Sequence, residues 1–296
     1  MKRPLQGSMV ALVTPFRDGR VDRAQLKSLV QFHVNSGTDA IVPCGTTGES
    51  PTLSHDEHRE VVEAVIEAAA GRVPVVAGTG SNSTAEAIDL TRHAKAAGAD
   101  GVLMVVPYYN KPTQQGLIDH FRAVADAVPI PIILYNIPGR TGVNMLPETV
   151  ATLAAHEGIV GIKEASGSLE QMTEVIAACG EQIAVLSGDD TLTLPLMSVG
   201  GRGVISVIAN ILPREVVELT HAALTEDWKR AREIHLRLFP LGKAMFYETN
   251  PIPVKTAMQL LKLGNGEMRL PLSPMSRGNR ERLIRALQAY GLSVAG

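Results

Sequence analysis

The stretch that decides the fold is Val73-Pro-Val-Val-Ala77, its polar end Gly78-Thr-Gly80, the segment Ser83–Ala97 and the apolar run Gly101-Val-Leu-Met-Val-Val106. A short β-branched run closes on glycines and a hydroxyl. An amphipathic stretch follows, ends in Ala97-Gly98-Ala99, and leads into another apolar run. Neither run alternates apolar with polar residues. Both faces of each strand are therefore expected to be covered, as in a parallel sheet packed against helices. The spacing is that of a βαβ crossover.

The same unit recurs on both sides. Apolar runs occupy Met9–Val13, Ala40–Val42, Pro131–Leu134, Ile159–Ile162, Ile183–Leu186 and Gly203–Ile208, and successive starts lie about 20 to 33 residues apart, one βα unit each. The segments between them read as helices. Ala24–Asn35 sets Leu26, Leu29 and Val30 at helical spacing. Ser54 with Glu57 forms a capping box ahead of Val61, Val62, Val65 and Ile66. Gln114–Ala127, Pro147–His156, Leu169–Cys179 and Leu192–Val199 are further helical segments. The pattern predicts an α/β chain with a (β/α)8 TIM barrel over residues 1–225. A C-terminal helical appendage is expected over 226–296, with helices near Asp227–Tyr247, Pro253–Leu263 and Pro274–Tyr290. The rival is a doubly wound open sheet. Eight near-equal repeats without a Gly-x-Gly-x-x-Gly turn favour the barrel.

Composition narrows the function. With 28 basic and 30 acidic residues the net charge is −2, and aromatics are 4%. There is no positive excess to neutralise phosphates and little to stack on bases, so no nucleic-acid partner is expected. Cys44 and Cys179 do not make a disulfide framework and read as small buried apolar residues. Met1-Lys2-Arg3 is basic, but the apolar run after it is short and stops at Thr14-Pro15. No run approaches the roughly 18 apolar residues of a membrane span. A soluble cytoplasmic protein with no membrane partner is expected.

In a barrel the chemistry sits where the strands end at the C-terminal face. The polar residues there are Thr14, Gly45-Thr46-Thr47-Gly48-Glu49, Gly78-Thr79-Gly80, Tyr108-Tyr109-Asn110, Tyr135-Asn136, Lys163-Glu164, Ser187-Gly188-Asp189-Asp190 and Ser206. Lys163 alone among the lysines interrupts an apolar strand. Desolvation disfavours an ammonium, and a neutral amine between apolar walls attacks a ketone to form a Schiff base. The bland reading pairs Lys163 with Glu164, Asp189 or Glu49. Lys255 competes less well, since it opens a helix outside the barrel. Tyr135 ends the neighbouring strand, where a phenol can shuttle protons or simply fill the core. The Gly45–Gly48 loop joins a strand to a helix, so its amides and hydroxyls can hold a carboxylate, or it is only a tight turn. Arg140, in a Pro-Gly turn at the barrel mouth, suits bidentate carboxylate binding. His55 and His58 stand at a spacing that can ligate a metal, but no third ligand falls at another strand end. No metal and no cofactor are expected.

Taken together, these strand ends resemble the dihydrodipicolinate synthase and N-acetylneuraminate lyase family of pyruvate-dependent class I aldolases. The likeness runs the length of the chain. It rests on Gly45-Thr-Thr-Gly-Glu-Ser50, Val106-Pro-Tyr-Tyr-Asn110, Leu134-Tyr-Asn-Ile-Pro-Gly-Arg-Thr-Gly142, Gly161-Ile-Lys-Glu-Ala165 and Asn250-Pro-Ile-Pro-Val-Lys255. Arg140 and the double threonine resemble the branch that condenses pyruvate with L-aspartate 4-semialdehyde to 4-hydroxy-tetrahydrodipicolinate, on the way to diaminopimelate and lysine. The resemblance implies that Lys163 carries the imine and Tyr135 moves protons. Thr46 and a Tyr109 from a neighbouring subunit complete the relay. Thr47 holds the pyruvate carboxylate, Arg140 that of the semialdehyde, and Gly188 and the Ile205 carbonyl line the pocket. It further implies a homotetramer built as a dimer of dimers. Ser50, His55, His58, Asn82, Glu86 and Tyr108 match positions that bind inhibitory L-lysine in lysine-sensitive members, with Pro51 in their midst. Otherwise Glu86 and the histidines are helix-surface residues. Two other functions are open to the same residues: a sister lyase acting on a keto-deoxy sugar acid or N-acetylneuraminate, and a catalytically silent binding barrel.

Overall fold

A computed structural model describes residues 5–294. Met1-Lys2-Arg3 lies outside the described residues. Eight parallel strands form the sheet: β1 (Gly7–Ala11), β2 (Ala40–Val42), β3 (Val76–Gly78), β4 (Gly101–Val105), β5 (Ile132–Asn136), β6 (Ile159–Glu164), β7 (Ala184–Ser187) and β8 (Gly203–Ser206). Their spatial order is β2-β1-β8-β7-β6-β5-β4-β3, and the bridge between Ile41 and Val75 brings the two edges together, so the sheet is a nearly closed barrel. The open-sheet alternative is set aside by that ring.

Helices alternate with the strands: α1 (Arg23–Ser36), α2 (His55–Ala69), α3 (Thr84–Ala97), α4 (Gln114–Ala127), α5 (Pro147–Ala154), α6 (Leu169–Cys179), α7 (Thr193–Ser198) and α8 (Pro213–Leu224). Their starts are written in the sequence. Asp22, Ser54, Ser83, Thr113 and Ser168 each accept a bond from the third residue of the helix they precede, satisfying an otherwise orphaned amide. The capping box at Ser54 and Glu57 is present. Three helices follow α8: α9 (Trp228–Ala244), α10 (Ile252–Leu260) and α11 (Arg277–Tyr290). Among the described residues no helix is long and apolar enough to cross a membrane.

Two apolar layers result from the period-two alternation of the strands. Met9, Ala11, Ala40, Val42, Val76, Leu103, Ile133, Tyr135, Leu186 and Ile205 fill the barrel interior. A second cluster, including Val10, Ile41, Ala77, Val102, Ile132, Leu134 and Ile162, packs outward against the helices. Both faces of each strand are covered, which is why the apolar runs are continuous. Strand ends shift where polarity misled the reading. β5 and β6 run on through Tyr135-Asn136 and Lys163-Glu164, because one residue of each pair faces inward and the other meets the helical shell. A hairpin of Phe16–Arg17 with Arg20–Val21 precedes α1, and a one-turn helix at Pro138–Thr141 replaces the turn expected around Arg140.

Candidate active site

Tyr135 and Lys163 are register partners on β5 and β6. Both face the interior and are buried, 5% and 4% exposed. Lys163 Nζ sits 4.3 Å from the centroid of the Tyr135 ring. The three carboxylates considered as partners for this lysine are engaged elsewhere. Glu164 faces the helices, where it accepts from Asn136 Nδ2 at 3.1 Å, Gln171 Nε2 at 3.2 Å and the Ser166 amide at 2.7 Å. Asp189 accepts from the Thr191 amide at 2.9 Å and its hydroxyl at 2.8 Å. Glu49 pairs with Lys255, and its other oxygen accepts the Arg269 amide at 3.0 Å. No carboxylate therefore binds Lys163 among the described residues, and the bland reading of that lysine is corrected. Lys255 is likewise not a spare amine. It is buried, bonds the Thr14 carbonyl at 2.9 Å, and lies over the Phe16 ring. Burial pushes its ammonium below the usual lysine range, against the opposing pull of Glu49.

Gly188 directly follows β7, beside the lysine. A Cβ there would lie 2.5 Å from Ala165 Cβ and 3.1 Å from Lys163 Cε, so a side chain would push into the lysine stem. Ile205 is in register with Met9 inside the barrel. The turn after it hangs on the half-buried Asp190, which accepts from Ser206 Oγ at 2.5 Å and from the amides of Val207 at 3.0 Å and Ile208 at 2.9 Å. Burial raises the Asp190 carboxyl, and the Ser206 hydroxyl pulls it back down.

The Gly45–Ser50 loop is bent by left-handed backbone at Cys44 (φ 56°) and Glu49 (φ 53°). The Gly48, Glu49 and Ser50 amides bond carbonyls of Gly45 and Thr46 within the loop, whereas the amides of Thr46 and Thr47 meet no backbone acceptor among the described residues. Those two free donors suit an anion. Thr47 is buried, and its hydroxyl accepts from Asn250 Nδ2 at 3.0 Å. Arg140 is exposed at the mouth and donates through Nη2 to the Asn250 carbonyl at 2.9 Å.

Of these groups, Thr46, Tyr135 and Arg140 line a cavity of about 410 Å³, whereas Lys163, Thr47, Gly188 and Ile205 lie behind its wall. Ser50, Pro51, His55, His58, Glu86 and Tyr108 line the same cavity. His55 Nε2 lies 3.1 Å from Glu86, whose other oxygen accepts from Ser81. His58 is not the helix-surface residue allowed for: it is 5% exposed with Nε2 on the Gly78 carbonyl at 2.8 Å. That contact makes Nε2 the protonated nitrogen and Nδ1 an acceptor, and burial holds the ring below the usual histidine range. Asn82 stands off the cavity, donating to the Tyr108 carbonyl at 3.2 Å. Tyr109 is also away from it, 89% exposed on a left-handed backbone (φ 71°). No cluster of three metal-ligating side chains occurs among the described residues, so His55 and His58 lack a third ligand.

Comparison with known proteins decides the family. The model of the dihydrodipicolinate synthetase family matches residues 4–290. The chain belongs to that family. It is 61% identical over 287 residues to a 4-hydroxy-tetrahydrodipicolinate synthase of Geobacter sulfurreducens, covering 97% of this chain and 99% of the relative. The crystal structure of dihydrodipicolinate synthase from Aquifex aeolicus superposes with a TM-score of 0.97 at 54% identity, over 99% of this chain and all of that one. The Acinetobacter baumannii enzyme, solved with pyruvate, has a TM-score of 0.96 at 47% identity, over 97% and 99% of the two chains. The Cyanidioschyzon merolae enzyme, solved with lysine bound, has a TM-score of 0.94 at 45% identity, over 98% and 100%.

Sequence reading had no role for Asn250 or Asp190, although both lie in segments it singled out. Asn250 reaches Thr47 across 203 positions of chain, and no periodicity signals such a contact.

Proposed function

We propose that this chain is a 4-hydroxy-tetrahydrodipicolinate synthase, condensing pyruvate with L-aspartate 4-semialdehyde for lysine biosynthesis by the diaminopimelate route. The observation that carries the reading is Lys163: a buried lysine at a barrel mouth, without a carboxylate partner, against the ring of Tyr135.

The Lys163 amine attacks the ketone carbon of pyruvate and water leaves, giving an imine. That imine is an electron sink, so a methyl proton departs and an enamine forms. Tyr135 receives and returns these protons with Thr46, and Tyr109 of a second copy completes the relay. The exposure of Tyr109 in the single chain supports that assignment. The Thr47 hydroxyl and the free amides hold the pyruvate carboxylate, with Gly188 and the Ile205 carbonyl beside the imine. The enamine carbon attacks the aldehyde of the second substrate, whose carboxylate meets Arg140, and the new alkoxide takes a proton. The amine of that substrate then displaces Lys163 and the ring closes. No metal or cofactor takes part in this sequence.

L-lysine inhibits by occupying the outer part of the cavity. Glu86 takes its ammonium, while Ser50, His55, His58 and Tyr108 surround the rest and Asn82 holds Tyr108. The assembly is a homotetramer, a dimer of dimers, and the enzyme works in the cytoplasm, which fits the two buried free cysteines. The barrel of residues 1–225 carries the chemistry, and the helices of 226–296 support it. A coupled condensation assay tests the proposal. Turnover is expected with pyruvate and aspartate semialdehyde and not with a panel of sugar aldehydes, and millimolar lysine should depress it. Arg140→Ala should raise KM for the semialdehyde about 10- to 100-fold. Full turnover by that variant would refute the synthase assignment.

A further inference from the structure

One side chain from outside the barrel reaches the site. Asn250 follows α9 and starts the turn into α10, 5% exposed. Its Nδ2 donates to Thr47 Oγ1, its Oδ1 is buried with no partner among the described residues, and its main-chain carbonyl takes one N–H of Arg140. The turn is anchored independently by Lys255, which pairs with Glu49 two residues beyond Thr47. Loop and turn are thus held against each other whether or not the Asn250 side chain is present.

A threonine hydroxyl has one proton and two lone pairs. A donor on one lone pair leaves the proton for a different acceptor. Were the hydroxyl to donate to a protein carbonyl instead, it would present only lone pairs to an anion and repel it. We propose that Asn250 is a positioning residue that sets the polarity of Thr47: its amide occupies a lone pair of the hydroxyl and turns the proton toward the pyruvate carboxylate. This rests on the carboxylate role proposed for Thr47. Arg140 is served by the main chain of Asn250, so a side-chain change should leave the second substrate largely untouched.

The test is a set of initial-rate measurements on the full-length enzyme: Asn250→Ala, Asn250→Asp, Thr47→Val and Asn250→Ala/Thr47→Val. Thr47→Val should raise KM for pyruvate about 10- to 100-fold, and Asn250→Ala about 5- to 10-fold. KM for the semialdehyde should move less than about twofold in Asn250→Ala. Asn250→Asp keeps the shape but only accepts, so it captures the Thr47 proton, and its pyruvate KM should rise at least as far as in Asn250→Ala. The double variant should match Thr47→Val alone, because the amide acts only through the hydroxyl. Multiplying effects, equal shifts in both KM values, or an Asn250→Asp enzyme like the wild type would each overturn the inference. If Thr47→Val itself leaves the pyruvate KM unchanged, the carboxylate role is wrong, an outcome distinct from a Thr47 effect that Asn250 does not share.

Discussion

Replacing Lys255 by methionine should destabilise the protein more than any single surface change. Lys255 and Glu49 form an ion pair whose side chains are 4% and 0% exposed, joining α10 to the loop that carries Thr46 and Thr47. Removing the ammonium strands a buried carboxylate whose remaining partner is the Arg269 amide. Breaking such a pair costs about 3 to 5 kcal/mol, most of it the penalty of the unpaired charge. For 296 residues, about 2.1 cal/mol/K per residue gives an unfolding entropy near 0.6 kcal/mol/K. The melting temperature should therefore fall by about 5 to 8 °C. Calorimetry at a fixed protomer concentration reads this directly, since assembly would otherwise shift the midpoint. Adding Glu49→Gln removes the stranded charge while keeping an acceptor for the Arg269 amide, so the double variant should regain at least half of the loss. A single variant that melts within about 2 °C of the wild type, or a double variant no better than the single, would refute the reasoning.

Other expectations follow from the site and the core. Gly188→Ala pushes a methyl into the Lys163 stem; kcat should fall at least about tenfold, at a cost of about 1 to 3 kcal/mol for overpacking, whereas an enzyme with normal kcat would show that the stem has room. Tyr135→Phe keeps the ring under Lys163 but loses the phenol, so kcat should drop about 10²- to 10⁴-fold while pyruvate still binds, as read by fluorescence or calorimetric titration. His33 and His120 are held by burial to about 3 and about 4. Both rings are buried neutral, so their contribution is full above the unfolded value near 6.5 and fades as pH falls toward those figures. Urea unfolding should show about 2 kcal/mol lost per ring between pH 7 and pH 5. A His33→Asn variant should lose correspondingly less over that range, and an identical pH slope would contradict the assignment.

Much of this architecture is legible in the chain because both faces of each strand are buried. Residues such as Val102 to Met104 and Ile132 to Leu134 carry no polar interruption, and helix starts are spelled by capping residues such as Ser54 and Ser83. Lys163 stands out because a lysine in such a run has to be explained. Its strand neighbour Glu164 misleads, since the pleat sends it to Asn136 and Gln171 on the far side of the sheet. His58 was readable in part: it precedes Val61 and Val62 by three and four positions, on the inward stripe of α2. The side-chain contacts of Asn250 with Thr47 and of Lys255 with Glu49 were not readable, because the partners lie more than two hundred positions away and only the closed ring brings the C-terminal turn over the second strand's loop.

The central claim is that Lys163 forms an imine with pyruvate. Borohydride reduction in the presence of pyruvate, followed by peptide mass spectrometry, tests it most directly. The reaction should fix one three-carbon adduct per chain on Lys163 and abolish turnover, and Lys163→Ala should take up none. An unlabelled Lys163, or an adduct on Lys255 instead, would contradict the account.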